Sequence, residues 1–224
     1  MDAPTRLSPA VEDYAKAIYA LEGEASGAVT TNALADRLGV TAASASGMAK
    51  RLVELGLVDH RPYRGIALTD DGRRVALEVL RHHRLLELLL ADLGVPWDRV
   101  HDEAEVLEHH ISEDLEALIA ARLGNPTHDP HGHPIPSADL VIDEGETVAL
   151  ASMAVGECGR FVRISDAEPE MLRYLTELGI ALGDSFEVTD RQPFDGPVFA
   201  AFSAQTLALG APLAQAMRVE VLSP

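Results

Sequence analysis

The sequence predicts a mainly α-helical chain with a smaller β portion, on three observations. Apolar residues recur at helical spacing from Val11 to about Leu123, broken by capping and glycine signals. Two short β-like runs interrupt that pattern near residues 57–69. Beyond residue 150 the pattern turns into short alternating runs separated by Gly and Pro, the mark of a small barrel. With 224 residues, 47% of them hydrophobic, the chain can bury at least one core and has room for two or three small domains. No apolar run approaches the roughly 18 to 20 residues that span a bilayer, and the opening residues lack the basic-then-apolar order of a signal peptide. The expectation is a cytoplasmic protein with no membrane partner.

The first helix is announced by Ser8-Pro9, a cap followed by proline at the first helical position, with Val11, Tyr14, Ala15 and Ile18 on one face and an end near Gly23. A short helix over 32–38 stops at Gly39. After a tight turn Thr41 can cap a third, whose apolar stripe is Ala45, Met48, Ala49, Leu52 and Leu55. Two short strands around a polar turn with Pro62 and Gly65 follow, and Thr69 caps a helix that starts with Asp70 and Asp71. Helix–turn–helix followed by a β-hairpin is a winged helix. A long apolar helix then runs to Gly94, and a second helix is predicted over about 98–123. Residues 124–139 hold four prolines and cannot be regular, so they form an ordered loop or a linker. The terminal strands are predicted at 159–164, 184–190, 197–203, 205–210 and 217–222, with one helix at 169–178. Domain boundaries are placed to give 1–73, 74–145 and 146–224.

The formal charge of −18 argues at face value against nucleic acid, but its distribution does not. Residues 1–75 are nearly balanced, with 9 Lys/Arg against 10 Asp/Glu, whereas residues 76–145 carry 4 against 15. Eight of the 9 histidines lie in that same acidic stretch. Imidazole mixed with carboxylate is a divalent-cation composition, and the single cysteine, Cys158, excludes sites built on clustered thiolates. At about 100° per residue, His101, Glu105, Glu108 and His109 form one stripe beside the apolar Ala104, Leu107, Ile111, Leu115 and Leu118. Carboxylates and imidazoles half-sunk beside a core require a cation, and only four basic residues are near in sequence to serve as one. His83 and Glu87, four apart, stack on the preceding helix. Asp129, His131 and His133 alternate in the Pro-rich loop, where a plain surface turn is an equal reading.

No His–Glu protease motif, bundle di-iron spacing or glycine-rich phosphate loop is present, so an enzyme is not expected, with a metal-dependent hydrolase the alternative from another class and a passive metal buffer a third. For DNA, the start of the third helix presents Thr41, Ala43, Ser44 and Gly47, small groups that let a helix N-terminus approach bases closely. Lys50 and Arg51, with Arg61 and Arg64 in the wing, supply phosphate contacts.

These segments resemble the diphtheria-toxin-repressor family of metal-dependent transcriptional repressors, especially its manganese-responsive branch. The residues that carry the resemblance are VEDYAKAIYALE (11–22), SASGMAKRLVELGLV (44–58), YRGIALTDDGRR (63–74), RHHRLLELLL (81–90), VHDEAEVLEHHISEDLE (100–116), GNPTHDPHGHPIP (124–136) and RISDAEPEMLRYLTELGI (163–180). The resemblance implies an N-terminal winged helix–turn–helix, a helical metal-binding and dimerisation domain, and an SH3-like C-terminal barrel like the ferrous-transport accessory protein. It implies a primary metal site on Asp13, Glu105, Glu108 and His109 with His83 close by. The iron-responsive branch has Met and Cys where Asp13 and Glu105 stand, and carboxylates there favour Mn2+ over Fe2+. A second site is implied on His83, Glu87 and His101 with C-terminal groups, or on Glu87, Asp129, His131 and Asp166. Lys16 stands where two-domain manganese regulators carry a Glu that binds an adjacent second ion, which argues against a close binuclear cluster. The implied protein is a homodimer that binds double-stranded operator DNA with Mn2+ as corepressor, Fe2+ being the alternative and other divalent ions binding in vitro. Leu77, Leu80 and Leu88, with the helix over 98–123, are expected to bury the dimer interface.

Overall fold

The computed structural model describes residues 7–24, 29–61, 65–203 and 205–222. The chain passes back and forth between two compact units: the first comprises residues 1–83, 106–116 and 136–141, the second 84–105, 117–135 and 142–224. Among the described residues no helix is long and apolar enough to cross a membrane.

In the first unit, α1 (Pro9–Glu24) buries Val11, Tyr14, Ala15 and Ile18, the face its spacing predicts. Helix α2 (Thr31–Leu38) is capped by the Thr30 hydroxyl, which accepts from Ala33 N, and ends at Gly39 in the left-handed conformation. Helix α3 (Ala42–Glu54) begins where Thr41 Oγ1 accepts from Ser44 N at 3.1 Å. Its buried stripe is Ala45, Ala49 and Leu52; Leu55 is 44% exposed, and Leu57 closes the core instead, because the helix ends at Glu54 and Gly56 redirects the chain. The strands β1 (Val58–Arg61) and β2 (Gly65–Leu68) form the antiparallel hairpin of the wing. The predicted wing-tip residue Arg64 lies outside the described residues, as do Pro62 and Tyr63. Thr69 Oγ1 then caps α4 (Asp70–Asp92), accepting from Gly72 N.

The single helix expected over 98–123 is two: α5 (Val100–Leu107) and α6 (Glu113–Arg122). The break has a local cause. Ser112 accepts from Leu115 N, and Glu113, Asp114 and Glu116 crowd the first turn of α6, a helix start that overrides the continuing apolar periodicity. The predicted apolar stripe therefore loses phase. Ile111 is buried, whereas Leu107, Leu115 and Leu118 are exposed, and Glu116, Ile119 and Ala120 take the inner positions of α6. Leu77, expected at a dimer surface, is buried within its own chain.

The second unit holds a six-stranded antiparallel sheet of order β3-β8-β4-β5-β6-β7, built from β3 (Val148–Ala149), β4 (Cys158–Ile164), β5 (Ser185–Arg191), β6 (Val198–Phe202), β7 (Thr206–Leu209) and β8 (Met217–Leu222). It is an open sheet and not the closed barrel expected, since the two outer strands are the two-residue β3 and the four-residue β7, and the described pairings do not join them. Helix α7 (Pro169–Leu178) lies where predicted; α8 (Ala211–Ala216), too short to show a period, was not anticipated. Phe161, Ile164, Leu172, Leu175, Val188 and Leu209 form the centre of this core.

The Pro-rich segment is an ordered loop. Asp129 Oδ1 accepts from the backbone N–H groups of His131 (2.8 Å) and His133 (2.9 Å), closing an Asx turn. Ile164 N donates to His131 O at 3.0 Å, which docks the loop on β4. The approach is possible because residue 132 is glycine: its φ is +83°, and a Cβ there would lie 1.9 Å from the Val162 carbonyl oxygen. Gly132→Ala is therefore expected to destabilise the second unit by about 1–3 kcal/mol through overpacking and backbone strain. Thermal unfolding followed by circular dichroism checks this; an unchanged Tm would mean that the loop is not held as described.

Candidate metal centres and nucleic-acid interface

In the first unit, Asp13 on α1 meets Glu108 and His109 in the turn that follows α5, and their ligand atoms lie within 4.8 Å of one another. His109 Nε2 faces Asp13 Oδ1 at 2.9 Å and Glu108 Oε1 at 3.4 Å. Its other nitrogen, Nδ1, lies 2.6 Å from Glu12 Oε2; a carboxylate can only accept there, so Nδ1 carries the hydrogen and Nε2 is the atom turned to the cluster. Glu108 is fully buried, and its two oxygens meet Lys16 Nζ at 2.6 Å and His83 Nδ1 at 2.5 Å. Burial pushes the Glu108 carboxyl up, but the His83 hydrogen bond and the Lys16 charge outweigh it, and the net shift is downward. Glu108 is thus an ionised carboxylate inside the unit.

The donor set suits a borderline-to-hard divalent ion, with carboxylate oxygen and imidazole nitrogen and no sulfur. Glu12 was missed as a functional residue in the sequence. Its adjacency to Asp13 hid it, because neighbours on a helix do not share a face; the imidazole spans the gap by presenting one nitrogen to each. The i, i+4 spacing of Glu12 and Lys16 is the signal that could have found both.

The second unit assembles Glu87, His101 and Asp166. His101 Nδ1 lies 3.0 Å from Asp166 Oδ2 and 3.4 Å from Glu87 Oε1. Glu87 has no exposure, and His131, equally buried, points Nδ1 at Glu87 Oε1 from 3.7 Å without a hydrogen bond while its Nε2 donates to the Trp97 carbonyl at 2.7 Å. A fully buried carboxylate facing an imidazole nitrogen that makes no hydrogen bond fits a site for a divalent ion. Hydrogen bonds to Asp166 and Glu87 raise His101 to about 10. Burial would lower His131, but the negative charge of nearby Glu87 prevails and raises it to about 9. Asp166, despite burial, is held well below the usual carboxylate range by His101. Asp129 closes its turn beside His133, 3.3 Å away, with Arg84 Nε at 3.7 Å, and forms a further group with His131 and His133. Glu105 belongs to this unit, where its Oε1 lies 3.8 Å from His101 Nε2, one turn back on α5.

Thr41 at the N-cap of α3, and Ala43, Ser44, Gly47, Lys50 and Arg51 along it, are all exposed, whereas Ala45, Ala49 and Leu52 are buried. Thr41 and Ser44 hydroxyls bond to each other at 2.9 Å and hold the helix start. Arg61 is in β1, with its backbone paired to Gly65.

A winged helix–turn–helix beside buried carboxylate–imidazole clusters defines a class of protein: a DNA-binding regulator governed by divalent metal. Comparison with known proteins narrows it. Three family models match in sequence order: the iron dependent repressor N-terminal DNA binding domain over residues 6–66, the iron dependent repressor metal binding and dimerisation domain over 69–137, and the FeoA domain over 148–221. The diphtheria toxin repressor of Corynebacterium efficiens is 33% identical over 226 residues, 96% of each chain. The iron-dependent repressor IdeR of Mycobacterium tuberculosis is 41% identical over 132 residues, 58% of this chain and 56% of that protein. Among solved structures, a manganese-dependent transcriptional repressor in complex with manganese superposes with a TM-score of 0.89 at 45% identity, over 95% of this chain and 100% of that one. The manganese regulator SloR gives 0.79 at 27%, over 96% and 100%. The chain belongs to the iron-dependent, diphtheria-toxin-type family of metal-dependent transcriptional repressors.

If Glu12 orients His109 for metal, Glu12→Ala should weaken divalent-ion binding about 10- to 100-fold, as loss of such an outer partner does elsewhere. Calorimetric titration of Mn2+ into the full chain measures it, and unchanged affinity would deny Glu12 that role.

Proposed function

We propose that this chain is a homodimeric repressor of manganese uptake and homeostasis genes, working in the cytoplasm, with Mn2+ as corepressor and no catalytic role. The observation that carries the reading is the all-oxygen and imidazole character of the cluster that Asp13 makes with Glu108 and His109. A thioether and thiolate in such a cluster would favour softer ions, whereas carboxylates favour manganese. We assign the primary ion to Asp13, Glu105, Glu108 and His109 with His83 adjacent, and a second ion to Glu87, His101, Asp129, His131 and Asp166. The domain limits 1–73, 74–145 and 146–224 follow the order of the three family matches, with DNA recognition, metal binding with dimerisation, and an accessory SH3-like role respectively.

Metal acts in this reading by substitution. Asp13 comes from α1 of the DNA-binding portion, and Glu108 and His109 from the turn after α5; an ion held by all three ties the recognition helix to its support. Lys16 already bridges α1 to Glu108, so the metal-free cluster is partly compensated. Two recognition helices in the dimer would then sit about 34 Å apart, one turn of DNA. Thr41, Ala43, Ser44 and Gly47 face the bases, and Lys50, Arg51, Arg61 and Arg64 the phosphates. Leu115 and Leu118 of α6 are exposed apolar side chains, and we assign them to the surface that a second copy buries.

The decisive experiment is a DNA-binding titration at one fixed salt concentration with Mn2+, Fe2+ and Zn2+ at matched site occupancy. Tightest operator binding is expected with Mn2+; equal binding with Fe2+ would remove the manganese assignment and leave the family function. Asp13→Ala should abolish metal-activated DNA binding while leaving appreciable metal affinity, a split readable by fluorescence anisotropy beside calorimetry. In light scattering, the metal-loaded chain at micromolar concentration should have twice the mass of one chain, and Leu118→Glu should shift it toward the monomer.

A further inference from the structure

One group of potential ligands in the first unit stands apart from the sites assigned above. Glu78 and His82 lie on successive turns of α4, and Glu113 opens α6; their ligand atoms lie within 4.8 Å of one another. His82 is nine-tenths buried, and its Nδ1 is 3.2 Å from the main-chain carbonyl of Glu108. A carbonyl can only accept, so Nδ1 carries the hydrogen and, in the neutral ring, Nε2 is a bare lone pair. That Nε2 is buried, makes no hydrogen bond, and faces Glu116 Oε2 at 3.3 Å. With the ring neutral, two acceptors face each other inside the protein, and a cation held between them satisfies both.

The surrounding charges suit a divalent one. Arg81 Nε holds the other oxygen of Glu116 at 2.8 Å and does not reach Nε2. Glu78, Glu113 and Glu116 set against Arg81 leave two negative charges when all three acids are ionised. Glu78 and Glu113 are hydrogen-bonded to each other, and burial together with Glu113, Glu12 and Glu116 pushes the Glu78 carboxyl up to about 7. One proton shared by two carboxylates near neutral pH occupies the kind of place a metal ion takes.

We propose that Glu78, His82 Nε2 and Glu113, with Glu116 Oε2 beside them, form a further site for a borderline divalent transition ion such as Mn2+ or Zn2+. The ion staples the first turn of α6 to α4. It also strengthens the opposite end of the same imidazole, where Nδ1–H holds the Glu108 carbonyl, so it braces the turn that presents Glu108 and His109. The site stands independently of the manganese assignment made above, because none of its side chains is a ligand there.

Equilibrium dialysis of the full chain against Mn2+, and separately Zn2+, at pH 8 followed by elemental analysis tests it. His82→Asn keeps a donor in the position of Nδ1 and removes Nε2; Glu113→Gln alters an exposed ligand with little risk to folding. Each variant should bind one ion fewer per chain than the unmodified protein. The same difference should persist when Asp13→Ala and His101→Ala are present in every chain compared, because neither change touches a ligand of this site. Unchanged stoichiometry in Glu113→Gln, or in a folded His82→Asn, with both ions overturns the proposal. Should His82→Asn fail to fold, Glu113→Gln alone decides.

Discussion

A carboxylate with no exposure to water must be met by positive charge, and much of this molecule's first unit is arranged around that requirement at Glu108. Desolvating an isolated carboxylate costs several kcal/mol even after relaxation. Glu108 answers with Lys16 on one oxygen and His83 on the other, and it keeps its ionised form despite burial. These contacts draw on α1, on the middle of α4 and on the turn after α5, so electrostatic compensation and the packing of three elements are the same event. A metal ion held beside Asp13 and His109, as proposed, would join a site where the charge is already organised.

The break between α5 and α6 follows from the same economy of space. Ser112 starts a new helix and Ile111 turns inward, while Glu108 and His109, in the turn between the two helices, meet Lys16 and Asp13 of α1. Imidazoles serve as connectors throughout: His109 spans Glu12 and Asp13, His82 spans the Glu108 carbonyl and Glu116, and His131 spans the Trp97 carbonyl and Glu87. In each, one ring nitrogen is fixed by an acceptor, which settles the direction of the other.

The second unit uses backbone geometry for the same end. Asp129 closes the turn through two backbone N–H groups, Gly132 permits contact with Val162, and the loop lies on β4 so that His131 is buried next to Glu87. Asp166 follows directly after β4 and reaches His101. The small sheet thus does more than fold by itself: its first long strand carries both the dock for the loop and an anionic partner for the cluster.

Local chemistry determined a large part of this in advance. The caps at Thr41 and Thr69, the glycine stop at Gly39, the period-2 strands after residue 157 and the amphipathic face of α1 are decided within a few residues of chain, and they are where the sequence places them. So are the residue types of the clusters, because an excess of carboxylates and imidazoles with few basic neighbours has few solutions other than a cation. What depends on distant contacts was not legible. Whether a periodic run continues or breaks at Ser112, whether Leu77 faces its own core or the outside, and whether the sheet closes are settled by competition between local signals and packing partners remote in sequence. Glu12 shows the limit most clearly: on a helical wheel it belongs to a different face from Asp13, and only an imidazole arriving from residue 109, with a nitrogen at each end, gives the two neighbours a common partner.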